Sequence, residues 1–306
     1  MTAIVSKCVA TEFYATPVRW PVRLYMVLNR IHSSEALNCG GIVDVSPAAS
    51  ITTQLKQAIS RLAVNGINTD LGRVNYRHLA GSEAFRDYEA ATRALRHFDL
   101  HRLVDPAERM VFWINLYNAL IIHAVIAYGI EKKVNEVRGI FEKAAYIVGG
   151  YRFSANDIEH GILRANAGHP ALPGAQFGKD DPRRDFCLPE LDPRVHFALV
   201  CAAKSCPPIS FYQAVHLDEQ LNLAARNFLG DGGMIVDRDK KQIKLSRIFS
   251  WYAQDFGGRL FGYVARENLL HCVIAYLDSS PDATFVRENA AQMTIKFVKY
   301  DWSLNV

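Results

Sequence analysis

Residues Met110 to Ile130, MVFWINLYNALIIHAVIAYGI, run for 21 residues without a formal charge. A stretch of that length can cross a bilayer. Asn115, Asn118 and His123 lie inside it, however, and polar groups in hydrocarbon are costly. No second such segment exists in the chain. The reading is therefore a helix buried in the middle of a folded domain, apolar on every side because every side is covered. Asp105-Pro106 opens it, as a capping residue followed by a proline at the first helical position. A chain of 306 residues is long enough to wrap a sizeable core around such a helix.

The rest of the chain supplies the wrapping. Residues 51–64 read as a helix with Leu55, Ile59 and Leu62 on one stripe, and residues 82–98 as another with Phe85, Tyr88, Ala91 and Leu95. YIVGGYRFS (146–154) is a hairpin, because two β-prone runs flank Gly149-Gly150, a pair that permits positive φ. Ser154 with Asp157 three residues on marks a helix start, a capping box with Asp in place of Glu. That helix is expected to end near Arg164. Residues 165–192, with four prolines and no periodicity, form a long loop of the kind that is usually functional or mobile.

RVHFALVC (194–201) reads as a buried strand. Residues 217–229 are helical, MIVD and QIKLS flank a second hairpin, and Ser246 caps a short helix. Residues 263–277 form an apolar helix, and MTIKFVKY alternates like a strand. Helices and strands are interspersed, with hairpins, so the fold class is α+β: a long buried central helix on a small, mostly antiparallel sheet, with several peripheral helices. Residues 1–50 read as an N-terminal extension and 51–306 as a single domain.

The net charge of +4 is too mild to suggest nucleic acid as a partner. Six scattered cysteines without a CxxC fit neither a disulfide scaffold nor zinc-type spacing, so no metal or other cofactor is expected. Their usage fits a reducing compartment, hence a cytoplasmic protein. Residues 1–17 lack the apolar core of a signal peptide. Residues 18–32, VRWPVRLYMVLNRIH, are basic and amphipathic, with Pro21 interrupting the pattern. They pack on the domain or rest on a membrane surface.

Three places can carry chemistry. On the central helix, Asn115 and Asn118 project from neighbouring positions. They either tie down loops or present a carboxamide to a developing oxyanion. In RVHFALVCAAKSCPP, Cys206 sits in a loop stiffened by Pro207 and Pro208, near His196 and Lys204. A thiol in such company is a candidate nucleophile with a histidine base, although cysteines are also among the most buried residues. A period-2 strand would put His196 and Cys201 on opposite faces. In NDIEHGILR, Asp157 or Glu159 could orient a catalytic histidine, while His160 and Arg164 share a face. The alternative there is a solvated face or a loop clamp.

AERMVFWINLYNALIIHAV, the hairpin with SANDIEHGILR, and DPRVHFALVCAAKSCPPI follow one another in an order that resembles the family catalogued as domain of unknown function 547. The resemblance covers roughly residues 74–306, including LSRIFSWYAQDFG and the terminal YDWSLN. It implies a shared FWxNxYN, here with Asn115, Tyr117 and Asn118, and a shared HFAL followed by SCPP, here with His196 and Cys206. Some relatives join the domain to glutaredoxin-like or DEP-like modules. Those fusions point to thiol chemistry or to signalling without choosing between them.

Three functions follow as expectations. One is a cysteine-dependent enzyme acting on an amide, thioester or peptide-like bond of a small-molecule or peptide substrate. Cys206 is then the nucleophile, His196 the base, Glu159 the orienter of His196 and Asn115 an oxyanion donor. Asn118, His160, Arg164, Tyr117 and Lys204 would bind the substrate. The helix-and-sheet layout resembles papain-like and transglutaminase-like folds at the level of analogy, although there the nucleophile starts the central helix. The second is a non-catalytic binding domain with protein partners. The third is a thiol redox protein in which Cys206 pairs with Cys201 or an external thiol.

Overall fold

The computed structural model describes residues 8–9, 13–40, 51–68, 72–260, 263–277 and 280–306. Residues 41–50 of the expected linker, and most of the N-terminal stretch read for a signal peptide, lie outside the described residues. Helices α1 (Trp20–Leu28), α2 (Ile51–Gly66), α3 (Tyr76–Gly81) and α4 (Glu83–Ala94) precede the central helix α5 (Pro106–Ala127). After it come α6 (Ile140–Lys143) and a hairpin of β1 (Ala145–Val148) and β2 (Tyr151–Ser154). Then follow α7 (Leu217–Phe228), β3 (Met234–Asp237), β4 (Gln242–Leu245), α8 (Arg247–Trp251), α9 (Arg266–Ala275), α10 (Pro281–Asn289) and β5 (Thr294–Phe297). The class is α+β, as expected. The sheets are small; the largest runs β5-β4-β3, with β4 antiparallel to β3 and parallel to β5.

Helix α5 is the axis of the core. The Asp105 carboxylate accepts from the Glu108 N–H at 2.8 Å and Pro106 takes the first position. At the other end Gly129, with φ 62°, donates to Ile126, and Ile130 donates back to Val125. This pair of bonds closes the last turn around a left-handed glycine. Between the ends, every residue from Met110 to Val125 is buried. Trp113, Ile114, Leu116 and Leu120 are wholly enclosed, and each apolar side chain of that size contributes about 1.5–3 kcal/mol by leaving water. The uncharged stretch is thus a core helix, since 89% of its most apolar part is covered by the rest of the protein.

Local signals set the elements around it. Gly149 and Gly150 have φ of 58° and 80°, the turn that matches strand twist in a two-residue hairpin. The Ser154 hydroxyl accepts from the Asp157 N–H at 3.0 Å and the Asp157 carboxylate accepts from the Ser154 N–H at 3.0 Å, completing the capping box. The helix it starts, Asp157–Leu163, is wound as a π-helix rather than an α-helix. Arg164 N–H reaches back to Glu159 O and Asn166 N–H to Gly161 O. Gly161 has a packing reason, since a Cβ there would lie 2.3 Å from the Phe177 ring.

Two readings need correction. RVHFALVC is not a strand: Pro193–Phe197 is a 3-10 helix, with the Asp192 side chain accepting from Arg194 N–H at 2.9 Å and Pro193 in its first turn. An apolar run this short does not separate a strand from a buried helical turn, and the Asp-Pro pair before it is the better signal. Pro21 does not interrupt α1; it lies in the first turn, where a proline costs nothing. Residues 35–39 are tied to the body. Leu37 N–H donates to Ala145 O, and the Asn38 carboxamide bridges Thr92 and Ile147.

Candidate active site

The chain after the 3-10 helix turns through Cys201-Ala-Ala-Lys-Ser-Cys206. Helix α5 holds this segment with two carboxamides. Asn118 donates to Ala198 O at 2.9 Å and Ser210 O at 3.2 Å, and accepts from Val200 N–H at 3.0 Å. Asn115 donates to Tyr212 O and accepts from Tyr212 N–H, at 2.9 and 2.8 Å. Both side chains are spent on backbone groups, as buried amides must be. They tie down the loop, and neither lines the cleft described below. The C-terminal tail holds the loop from its other side, with Lys204 N–H on Ser303 O and Asn305 N–H on Ala202 O. Ala202 has φ 67°, a left-handed conformation that costs an alanine about 1–3 kcal/mol and clusters at functional sites.

This clamping brings the two thiols together. Cys201 Sγ and Cys206 Sγ are 2.7 Å apart, and the Tyr300 hydroxyl lies 3.3 and 3.1 Å from them. The Cys201 N–H points at Cys206 Sγ from 3.1 Å. Burial alone would push Cys206 up, but hydrogen bonds from the Cys201 thiol, the Tyr300 hydroxyl and nearby backbone N–H groups outweigh it and pull the thiol down. Cys201 goes the other way: its bond to Cys206 and its burial push it well up. Burial also pushes Cys187 up to about 12 and raises Cys272, and Cys39 is disulfide-bonded, a state that oxidising compartments maintain. Among the described free thiols, Cys206 alone is pulled down.

Both thiols line a cleft of about 480 Å³, within the range of small-molecule sites. His196 lines it too. With no strand between them, His196 and Cys201 share this cleft rather than opposite faces. His196 Nε2 donates to Asp255 Oδ2 at 2.7 Å, and its ring stacks on Tyr252 at 3.9 Å. Asp255 is also gripped by Arg164, whose Nη2 lies 2.8 Å from Oδ1 and whose Nε lies 2.5 Å from Oδ2. Burial opposes the Asp255 charge, but the bonds from His196 and Arg164 hold the carboxyl down at about 2. Asp255 fixes the ring through Nε2, and among the described residues no hydrogen bond joins His196 to either thiol. The carboxylate that orients His196 is thus Asp255, 59 residues away in sequence.

Glu159 serves other partners. It accepts from the Tyr117 hydroxyl at 3.0 Å and the Tyr252 hydroxyl at 2.5 Å. Asp157 leaves the cleft altogether for an ion pair with Arg183. His160 lines the cleft, with its Nδ1 3.0 Å from Arg164 Nη1. A guanidinium can only donate, so this Nδ1 accepts and the proton sits on Nε2. Burial first, then the His169 and Arg164 charges, push His160 well below its ordinary range and keep it neutral. Lys204 is exposed and lies outside the cleft.

Of the residues expected to carry chemistry, the fold therefore gathers Cys206, His196, Glu159, His160 and Tyr117 into one cleft, with Arg164 behind them. It brings Cys201, the pairing thiol of the redox expectation, against Cys206 and adds Asp255, Tyr252 and Tyr300, which no local pattern singles out. Asp255 and Tyr252 stand in SRIFSWYAQDFG and Tyr300 in the terminal YDWSLN, segments marked only by resemblance. Trp251 and Trp302 form an aromatic wall around Tyr300, with ring centroids 4.9 and 4.8 Å from it. Among the described residues, no cluster of His, Cys, Asp and Glu has the geometry of a metal site.

A family model described as "Protein of unknown function, DUF547" covers residues 101–229, from the turn before α5 to the end of α7. No curated protein and no solved structure matches the chain.

Proposed function

From membership of the DUF547 family, which assigns the chain no activity, we propose that the cleft performs thiol–disulfide chemistry, with Cys206 as the attacking thiolate and Cys201 as the second thiol. The observation that carries this reading is the 2.7 Å approach of the two sulfurs, one thiol pulled down and the other pushed up. A nucleophile must be ionised to attack, and its partner must keep its proton until its turn. Cys206 thiolate attacks one sulfur of a substrate disulfide. A bond forms between Cys206 and that sulfur, and the other sulfur leaves as a thiolate. Cys201 gives its proton to the leaving thiolate and attacks Cys206 Sγ. The internal disulfide forms and the second substrate thiolate departs. The substrate has gained two electrons and the cysteine pair has lost two; an external thiol reductant returns the pair to the dithiol. Closing the bond takes the sulfurs from 2.7 Å to about 2.05 Å, a small movement.

A chromogenic aromatic disulfide tests this. The reduced protein is expected to release both chromophores and end with the internal disulfide. Cys201→Ser is expected to release one and stop at a stable mixed disulfide on Cys206. A wild-type protein that also stops at the mixed disulfide overturns the reading.

The His196–Asp255–Arg164 chain favours a second reading, acyl transfer. An imidazole held by a buried carboxylate is the arrangement of a general base. Cys206 then attacks a thioester or amide carbonyl, and the His160 Nε2–H is available to the oxyanion. The same variant separates the two readings, because acyl transfer has no use for Cys201. Thioester cleavage that survives Cys201→Ser and is lost in His196→Ala selects this second reading.

A further inference from the structure

Helix α1 shows an uncovered face. Val22 and Met26 pack inward, with Val18 and Leu172 against them. On the opposite side, Trp20, Leu24, Val27 and Leu28 are 73, 50, 67 and 71% exposed. At about 100° per residue these four fall within an arc of roughly 100°, so they form one continuous apolar stripe. Isolated exposed apolar residues need no explanation, but a contiguous patch headed by tryptophan does. The borders of the stripe are basic. Arg23 flanks it, Arg30 follows its C-terminal end, and both are exposed. No acidic residue occurs between Phe13 and Ser34.

We propose that α1 is an interfacial helix that docks on an anionic lipid surface. The stripe would enter the acyl boundary, with Trp20 at headgroup level and Arg23 and Arg30 on the lipid phosphates and carboxylates. A protein partner for so basic a rim would need its own acidic border; a second copy of this chain brings the same arginines and repels it. Docking has a consequence for the cleft. Arg19, beside Trp20, donates to the carbonyls of Pro173 and Ala175. Leu172 packs under the helix, and His169, Pro170 and Ala171, just before it, line the cleft. The helix and the lip of the cleft are one piece, so docking brings that lip to the lipid surface. This holds whichever chemistry the thiols perform.

The test is co-sedimentation of the whole protein with vesicles of phosphatidylcholine alone and with about 30% phosphatidylserine added, at low and high salt. Binding is expected on the anionic vesicles and much less on the neutral ones, and it weakens with salt. Trp20→Ser with Leu28→Ser is expected to cut it about tenfold or more, and Arg23→Glu with Arg30→Glu to remove the preference for anionic lipid. All four side chains project outward, so unchanged thermal melting establishes that the variants fold. Failure to bind either vesicle overturns the proposal. So does a concentration-dependent dimer, seen by light scattering, that Trp20→Ser abolishes.

Discussion

Two clusters of buried charge leave the Asp157–Leu163 helix in different directions. One is built on Arg183, which grips Asp181 through Nε and Nη2, reaches Asp157 and the Arg152 carbonyl through Nη1, and lies 4.4 Å over the Phe177 ring. Gln176 and Ser154 fill the remaining valences of Asp157. The other is built on Arg164, which grips Asp255 and faces His160, while Asp255 holds His196. Both are buried, and both pair an arginine with a carboxyl group pulled below its ordinary range. The difference lies in what each cluster faces. The Arg183 cluster spends its donors and acceptors largely on one another and borders only a small cavity of about 100 Å³. The Arg164 cluster ends in two imidazoles that line the cleft, beside two thiols. Burial and charge pairing alone do not mark a site; titratable groups lining a sizeable cavity do.

Substitutions sharpen this contrast, and the largest effect falls on the Arg183 cluster. Arg183→Met removes the guanidinium that pairs with Asp157 and Asp181 and is expected to cost about 3–5 kcal/mol in urea unfolding. The alkylation rate of Cys206 in the folded protein should stay as it was. Asn118→Ala removes three hydrogen bonds to the thiol loop and should cost roughly 2–3 kcal/mol. Here Cys206 reactivity should change as well, because the loop loses its anchor. If both variants alter stability alone, the loop is not held for its chemistry.

Acid titration reads the Arg164 cluster. Asp255 sits at about 2 in the fold, against about 3.9 in an unfolded chain. Its charge therefore stabilises the fold by about 2.6 kcal/mol above about pH 5, and that contribution is lost as pH falls through the folded value. Asp255→Asn should abolish this part of the acid dependence in stability measured between about pH 5 and pH 2. The smallest effect is expected for Glu159→Gln, which keeps one acceptor for Tyr117 and Tyr252. About 1 kcal/mol or less is expected from calorimetry, with the main change in the behaviour of the cleft.

Much of this is legible in the sequence because it is local. The Asp105-Pro106 start, the Gly149-Gly150 turn and the Ser154–Asp157 box each depend on residues within a few positions of one another. The same local logic finds Cys206, His196, Glu159 and His160, which stand in two short segments. It misses Asp255 and Tyr300, because nothing near them in sequence announces what lies across the fold. It reads RVHFALVC as a strand because an apolar run of that length has no period to decide it. That error separates His196 from Cys201, which the 3-10 turn in fact brings to one cleft. The asparagines illustrate the reverse: two polar groups in an apolar helix resemble chemistry, and their carboxamides hold loop backbone instead.

Cys206 is, on this view, an activated thiol because Cys201 sits against it. The pH dependence of iodoacetamide alkylation at Cys206, measured in the wild type and in Cys201→Ala, tests this most directly. An apparent pKa below the ordinary value of about 8.5 is expected in the wild type, with a rise when the Cys201 thiol is removed. A wild-type value at or above the ordinary one, or a value that does not move in Cys201→Ala, contradicts it.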